Sequence, residues 1–216
     1  MPEIMITIDD APHPESTSKL IAAFKQFDLS VAWFVTGIKS QARPDLVKAI
    51  VDAGNHRVGN HTMNHRQPFG GLPEATMVEE WKGCHAVVKG ITGYDMEILR
   101  SPGGAGWLSP QKATVQASIA QVNQDLNLSY KEIKGAGADD NKEPDWAAIK
   151  KCSDAGNLAD CAAWHAFVAE IDGALRDGIG GNLIFHDTDE PVSAADFMVP
   201  ILEHIQKTHT LKNFVV

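Results

Sequence analysis

Ile4-Met5-Ile6-Thr7-Ile8-Asp9-Asp10 is the stretch that decides the fold, and it stands almost at the start of the chain. An apolar run rich in β-branched residues is typical of a buried strand. Side chains alternate along a strand, so we expect Asp9 and Asp10 to point to opposite faces and to serve different tasks. Like charges this close are costly unless a cation or hydrogen-bond donors compensate them. The alternative is that the pair simply begins a solvated turn.

Strand and helix patterns alternate from this stretch to the end of the chain. Strands are predicted at residues 4–8, 31–35, 57–58, 97–100, 130–134, 182–186 and 213–216. Helices are predicted at residues 16–27, 44–53, 73–89, 109–126, 145–152, 164–177 and 194–207. This alternation predicts an α/β fold with a parallel sheet or barrel. Because no repeat or linker interrupts it, the sequence predicts one domain over residues 1–216.

Composition and charge limit the class of protein. Of the 216 residues, 44% are hydrophobic and 22% are charged, as in an ordinary globular protein. The formal net charge of −9 argues against nucleic acid or an anionic membrane as a partner, whereas a neutral or cationic polymer is compatible with it. No stretch approaches the roughly 20 apolar residues that a membrane span requires.

The cysteines and the first residues bear on the compartment. Cys152 and Cys161 flank a polar loop. They either close a small disulfide, which would indicate an oxidising compartment, or remain free thiols. Cys84 lies in a helical pattern and is expected to be buried. Met1 and Pro2 precede the first strand without a basic segment or an apolar h-region, so we expect a cytoplasmic protein or one whose leader has been removed.

Titratable residues gather where the predicted strands end. They are Asp9 and Asp10 after the first strand, His61 and His65 after the third, Arg100 after the fourth, Asp145 after the fifth and His186 after the sixth. In parallel α/β barrels the carboxyl ends of the strands carry the active site. Titratable groups that converge there from several strands favour a catalytic site over a structural role.

His61 and His65 are four residues apart in the sequence. On a helical turn this spacing places both imidazoles on one face, where they could share a metal ion. A catalytic zinc requires a third protein ligand and an open position for water or substrate. Either Asp9 or Asp10 could supply that ligand.

Five short motifs make the chain resemble one known family. They are TIDDAP (residues 7–12), GNHTMNH (59–65), RSPGG (100–104), DW (145–146) and LIFHD (183–187), and AWFVTG (32–37) resembles the family's second strand. In this order they are similar to the motifs of the polysaccharide deacetylases, the NodB-type carbohydrate esterases of family four. The resemblance covers nearly the whole chain and implies a distorted barrel of about seven parallel strands in a single domain.

The resemblance also implies a metal centre and a base. Asp10, His61 and His65 would bind a divalent metal, with Zn²⁺ as the first choice and Co²⁺ or Ni²⁺ as alternatives. Asp9 would be the general base, held in place by Arg100. A zinc ion lowers the pKa of its bound water from 15.7 to about 7, which makes hydroxide accessible near neutral pH.

An acid and a substrate groove are implied as well. His186 would be the general acid, and Asp145 would tune that histidine or pair with Arg100; alternatively, Asp145 is only the N-cap of its helix. By the resemblance, Trp146 would form a wall of the sugar groove. On chemical grounds, exposed aromatic faces suit carbohydrate, so we expect Trp107 and Trp146 to stack on sugar rings, and the backbone N–H of Gly103 to complete an oxyanion hole.

Three positions depart from the family pattern. Ala11 stands where glycine is usual, Gly103 where an aromatic residue is usual, and Lys142 where motif four usually begins with an acid, although Asp139 and Asp140 lie just upstream. These departures leave each proposed ligand, the base and the acid in place, so they bear on substrate fit.

The implied function is a metal-dependent hydrolase that removes N-acetyl groups from N-acetylglucosamine-type residues of a peptidoglycan-like or chitin-like polysaccharide. The alternatives are an O-deacetylase resembling the acetylxylan esterases and an inactive carbohydrate-binding member of the fold. We expect an acetylated glycan as partner and a monomeric state. The expected location is secreted, periplasmic or associated with the cell wall, and a cytoplasmic location stays open.

Overall fold

The structure is a computed structural model, described here for residues 3–54, 56–135, 144–176, 182–188 and 190–215. In these ranges it has seven strands and eight α-helices. The strands are β1 (Glu3–Ala11), β2 (Ala32–Val35), β3 (Arg57–Asn60), β4 (Ile98–Leu99), β5 (Lys131–Glu132), β6 (Asn182–His186) and β7 (Thr210–Leu211). The helices are α1 (Ser16–Gln26), α2 (Gly37–Ala42), α3 (Pro44–Asp52), α4 (Glu74–Thr92), α5 (Lys112–Leu126), α6 (Trp146–Asp154), α7 (Ala162–Arg176) and α8 (Ala194–Gln206).

The strands form one parallel sheet in the order β5-β4-β3-β2-β1-β6, and β7 pairs with the beginning of β1. Parallel neighbours require crossover connections, which the helices provide. The two ends of the strand order approach each other where Asn182 Nδ2 donates to the carbonyl oxygen of Lys134 at 3.1 Å. The predicted α/β fold, a distorted barrel of about seven parallel strands, is confirmed.

The opening stretch lies in the middle of the core. Ile4, Ile6 and Ile8 are at most 2% exposed, and all four residues of β2 are buried beside them. Strands that are covered on both faces have nearly continuous apolar sequences, which explains why β1 and β2 could be predicted from the sequence. Burial of each such isoleucine contributes about 1.5–3 kcal/mol relative to exposure.

Two elements differ from the sequence prediction. The last strand is Thr210–Leu211, and the strand predicted from residue 213 is absent over residues 213–215, while residue 216 lies outside the described residues. The apolar Phe214 is instead buried against Phe34 and Ile98, and its N–H donates to the carbonyl of Ser30. Helix α2 was missed, because its six residues are too few to show a helical period. Residues 136–143, which include Lys142, lie outside the described residues.

Cys152 and Cys161 form a disulfide, with their Cα atoms 5.9 Å apart, between the end of α6 and the start of α7. Of the two alternatives that the sequence left open for these cysteines, a disulfide or free thiols, the structure has the disulfide. Cys84 is a buried thiol, as predicted, and burial raises its pKa to about 12. Among the described helices, none is long and apolar enough to cross a membrane.

Candidate active site

The end of β1 brings the two adjacent carboxylates to the same side. The register between β1 and β2 shifts between Ile8 and Ala11, and Asp10 has a φ of 63°. As a result, Asp9 Oδ2 lies 3.8 Å and Asp10 Oδ1 lies 3.5 Å from Nε2 of His61. The prediction that Asp9 and Asp10 point to opposite faces is therefore wrong, because a bulge and a left-handed residue interrupt the strand alternation.

His61 and His65 lie on a loop and not on a helical turn, so that part of the prediction is also wrong. Thr62 and His65 have φ values of 69° and 51°, which no right-handed helix allows. Asn60 Oδ1 accepts from the N–H of Thr62 at 2.9 Å, and Thr62 Oγ1 accepts from the N–H of His65 at 3.1 Å. This loop conformation brings the ring centroids within 4.9 Å and places His65 Nε2 3.3 Å from Asp10 Oδ1.

A backbone carbonyl sets the tautomer of His61. Its Nδ1 lies 2.8 Å from the carbonyl oxygen of Arg100. Because a carbonyl can only accept, Nδ1 must carry the hydrogen and donate it, which leaves the Nε2 lone pair directed at the carboxylates. Metal-binding histidines are usually oriented by such a hydrogen bond through the second ring nitrogen.

The geometry and charges of Asp10, His61 and His65 fit a divalent cation. One potential ligand atom from each residue lies within 4.8 Å of the others. Asp10 Oδ1 is buried and has no hydrogen-bond partner within the described part of the chain, so a cation would satisfy it. Burial raises the pKa of Asp10, but its electrostatic interactions with His61, His65, His186 and Lys39 outweigh this and leave that pKa lowered. Burial lowers the pKa of His65, which favours the neutral ligand form. Two imidazoles and a carboxylate are a donor set typical of zinc.

Arg100 holds the other carboxylate. Its Nη1 donates to Asp9 Oδ1 at 2.6 Å and to Thr7 Oγ1 at 2.7 Å, and its Nε donates to the carbonyl of Ile133 at 2.9 Å. The guanidinium also lies 4.3 Å from the ring centroid of Phe34. Arg100 is 1% and Asp9 is 4% exposed, so each charge compensates the other where water cannot.

His186 ends β6 directly beside Asp9. The register pairs it with Asp9, and the N–H of the following Asp187 donates to the carbonyl of Asp9 at 2.8 Å. The side chain is half-buried. Its electrostatic interaction with Asp10 is one of those that lower the pKa of that carboxyl. The structure therefore brings His186 together with Asp9, Asp10 and the two histidines.

Asp145 has a different environment. It is exposed, and its Oδ1 accepts from the N–H of Ala148 at 2.9 Å, as an N-cap of α6. Among the described residues, Nη2 of Arg100 has no hydrogen-bond partner, and the recorded contacts of that arginine do not include Asp145. The tuning of His186 by Asp145 stays a prediction.

The candidate groove residues divide into two groups. Gly103 is exposed with a φ of 60°, and the amide of Gln67 lies 3.1 to 3.6 Å from where a β-carbon on Gly103 would stand. Trp107 is half-buried in the segment that follows. Trp146, in contrast, stacks on Phe197 at a centroid distance of 5.7 Å and packs against the core. One face of the Trp146 ring is therefore taken up by the protein itself.

Sequence reasoning missed two residues that support the site. Lys39 Nζ donates to the carbonyl of Asp10 at 2.8 Å, and its helix α2 was not predicted. Asp187 belongs to the fifth motif but was given no role. Its fully buried carboxylate accepts from the hydroxyls of Ser16 and Thr17, and burial raises its pKa. Asp187 thereby connects the start of α1 to the end of β6.

Curated proteins are similar to this chain in sequence. A peptidoglycan-N-acetylglucosamine deacetylase of Bacillus cereus is 30% identical over 108 residues, which are 47% of this chain and 36% of that protein. A chitooligosaccharide deacetylase of Rhizobium leguminosarum bv. phaseoli is 31% identical over 138 residues, 64% of this chain and 59% of that protein. The matched regions thus span less than two thirds of these curated relatives.

Solved structures share the fold at lower identity. A family 4 carbohydrate esterase from Streptomyces lividans superposes with a TM-score of 0.66 at 22% identity, over 100% of this chain and 93% of that chain. A family 4 pseudoenzyme from Bacillus anthracis gives 0.67 at 15% identity, over 99% of this chain and 64% of that chain. The family model described as polysaccharide deacetylase matches residues 1–137. Since this match covers more than half of the sequence, the chain belongs to the polysaccharide deacetylase family.

Proposed function

We propose that this chain is a metal-dependent deacetylase that removes N-acetyl groups from N-acetylglucosamine-type residues of a peptidoglycan-like or chitin-like polysaccharide. The observation that carries the proposal is the placement of Asp10, His61 and His65 beside the buried Asp9–Arg100 pair. The printed activities of the relatives from Bacillus cereus and Rhizobium leguminosarum support the same class of substrate.

Asp10, His61 and His65 would hold the metal, with Zn²⁺ as the first choice and Co²⁺ or Ni²⁺ as alternatives. When bound, such a cation lowers the pKa of a water molecule and polarises a carbonyl oxygen. The protein contributes the orientation of the ligands. The carbonyl of Arg100 fixes the His61 ring, and Lys39 fixes the backbone of Asp10.

Asp9 would take the proton from the attacking water. Its Oδ1 is occupied by the guanidinium of Arg100 at 2.6 Å, so Oδ2, which lies 3.8 Å from His61 Nε2, is the oxygen available to accept a proton. Arg100, whose own position is fixed by Thr7 Oγ1 and the carbonyl of Ile133, limits rotation of the carboxylate. A general base needs this fixed orientation toward the reacting water.

His186 would give a proton to the departing nitrogen. An amine is a poor leaving group, so breaking the C–N bond of an acetamide requires an acid, whereas an ester requires it less. His186 is the last residue of β6, which pairs directly with β1, and it lies in register with Asp9. The exposed Gly103 could donate its N–H to the developing oxyanion, and Trp107 and Trp146 could contribute to a groove wall.

The competing functions use the same residues. An O-deacetylase would have the same base and metal ligands and would depend less on His186. An inactive carbohydrate-binding protein is the other alternative, since one structural neighbour is described as a pseudoenzyme. The presence of Asp9, Asp10, His61, His65 and His186 together in this chain favours turnover.

Acetate release from a panel of substrates tests the proposal. The metal-free protein, alone and after addition of Zn²⁺, would be assayed on chitin oligosaccharides, peptidoglycan and acetylated xylan. We expect Zn²⁺-dependent release from one of the N-acetylated substrates. Release from acetylated xylan alone would favour the O-deacetylase, and glycan binding without any release would favour the binding protein.

We also propose that the protein acts outside the cytoplasm, in a secreted, periplasmic or cell-wall-associated form, and as a monomer. The disulfide between Cys152 and Cys161 supports an oxidising compartment. The acetylated polymers expected as substrates are consistent with that location.

A further inference from the structure

Glu80 is a buried carboxylate that the proposed chemistry does not use. It lies on α4, on the outside of the barrel, and is 4% exposed. A carboxylate taken out of water is costly unless hydrogen bonds or a positive charge compensate it. The partners of Glu80 therefore indicate why the charge is placed there.

The partners of Glu80 flank one of the two histidines. Glu80 Oε2 accepts from the backbone N–H of Asn64 at 2.7 Å, and Oε1 accepts from Asn64 Nδ2 at 2.8 Å. Oε1 also lies 2.9 Å from Nε of Arg66. The recorded hydrogen bonds of this carboxylate thus go to the residues immediately before and after His65.

The two histidines are oriented in different ways. The ring of His61 is fixed directly through its Nδ1 by the carbonyl of Arg100. For His65, no comparable hydrogen bond from the ring to a backbone carbonyl is found within the described ranges. Its ring position depends on its backbone, which has a φ of 51° that side chains disfavour. Glu80 binds the backbone N–H and the side chain of Asn64 on one side of His65 and the side chain of Arg66 on the other, so it can hold this conformation.

We propose that Glu80 is a positioning residue that holds His65 in the orientation needed to bind the metal. The inference rests on the proposed function, because it assumes that Asp10, His61 and His65 form a metal site. Glu80 acts through Asn64 and Arg66 and touches neither metal nor substrate. Its loss would leave the ligand residues in place and relax the geometry of one of them.

The substitution Glu80→Gln tests this role with little change in shape. The amide nitrogen of glutamine presents donors where the carboxylate accepts, so at least one contact to Asn64 or Arg66 is lost. Glu79→Gln is the matched control, since Glu79 is exposed on the same helix and the change in charge is the same. Zn²⁺ affinity would be measured by competition with a chelator, and ligand geometry by the visible absorption of the Co²⁺ form. Thermal unfolding of the metal-free proteins shows whether each variant folds.

We expect Glu80→Gln to weaken Zn²⁺ binding by about 10- to 100-fold and to change the Co²⁺ spectrum. Glu79→Gln should stay within about twofold of wild type, as expected for a surface substitution. Equal affinities and spectra for the two variants would overturn the role of Glu80 while leaving the metal site intact. Absence of metal binding in the wild type would overturn the proposed function itself.

A second variant covers the case in which Glu80→Gln does not fold. Glu80→Asp keeps the charge but withdraws the carboxylate by one methylene group, so it stretches the contacts to Asn64. We expect an intermediate loss of Zn²⁺ affinity in a folded protein. An affinity equal to that of Glu79→Gln would contradict the proposal.

Discussion

On one side of the candidate site Asp9, His61 and Arg100 are buried, and Asp10 and His65 are partly exposed beside them. On the other side His186 is partly exposed and Asp145 is exposed. After the roles proposed for them, we call one group of residues the metal side (Asp9, Asp10, His61, His65 and Arg100) and the other the acid side (His186, Asp145 and Trp146). On the metal side, Asp9, His61 and Arg100 are at most 4% exposed. On the acid side, Asp145 is exposed and Trp146 packs on the core.

The difference shows how the protein tolerates charge. Buried ions need a partner for each charge, so the removal of one member of the metal side leaves another uncompensated. Side chains near solvent are compensated by water and can be changed with smaller effects. We therefore expect substitutions on the metal side to have the largest consequences and those on the acid side progressively smaller ones.

The largest effect is expected for Asp10→Ala. This change removes the carboxylate that lies within 3.5 Å of both histidine Nε2 atoms, so the remaining pair should not retain a divalent cation. We expect metal content to fall to background and acetate release to fall by about 10³-fold or more, because the acidity of water would return toward its bulk value. Metal analysis after gel filtration measures the first effect. Retention of stoichiometric metal by this variant would contradict the assigned ligand set.

Asp9→Asn should separate the two neighbouring acids. It keeps the size of the side chain and removes its capacity as a base, so we expect acetate release to fall by about 10³-fold, within the range for general-base catalysis. Zn²⁺ should still bind, because Asp10, His61 and His65 are unchanged. The measurements are steady-state kinetics and metal content on the same preparation. Full activity would exclude Asp9 as the base.

His186→Gln should reveal whether the acid side takes part in the reaction. We expect about a 10²-fold loss of acetate release from an N-acetylated glycan, because the amine would leave without a proton. The loss should be smaller for an acetylated xylan, since an alkoxide is a better leaving group than an amide anion. Rates on both substrates, compared for the same variant, measure this difference. Equal losses on the two substrates would argue against His186 as the proton donor to the leaving group.

Much of the fold could be predicted from the sequence because its central strands are short apolar runs. The strand predicted at residues 182–186 has the same bounds as β6, and the strand predicted at residues 4–8 lies within β1. The final strand could not be predicted from apolarity, since Phe214 is buried by packing and not by strand pairing. An apolar residue near the end of a chain is compatible with both outcomes.

The site could be predicted in its composition but not in its geometry. Asp10 and His65 adopt left-handed conformations. Asp and His adopt these more often than most residues do, but the residue type alone does not specify them. These conformations depend on contacts from elsewhere, because the N–H groups of Gly37 and Ile38 donate to carbonyls of the histidine loop and Lys39 donates to Asp10. All three donors belong to α2, which was not predicted because its six residues are too few to show a helical period.

The smallest effect is expected for Asp145→Ala. Asp145 caps α6 by accepting from the N–H of Ala148, and loss of such a cap costs about 1 kcal/mol of stability. Ser193→Ala is a matched control, since Ser193 is the N-cap of α8 and accepts from the N–H of Ala195. If Asp145 is only a cap, both variants should lose similar stability in chemical denaturation and keep acetate release within about twofold. A tenfold or larger drop in acetate release for Asp145→Ala, with none for Ser193→Ala, would instead show that the acid side extends to α6 and that Asp145 acts on His186. In that case Asp145 would be exposed only in the protein without substrate. A bound glycan would bring it next to His186, and the contrast between the two sides would then disappear.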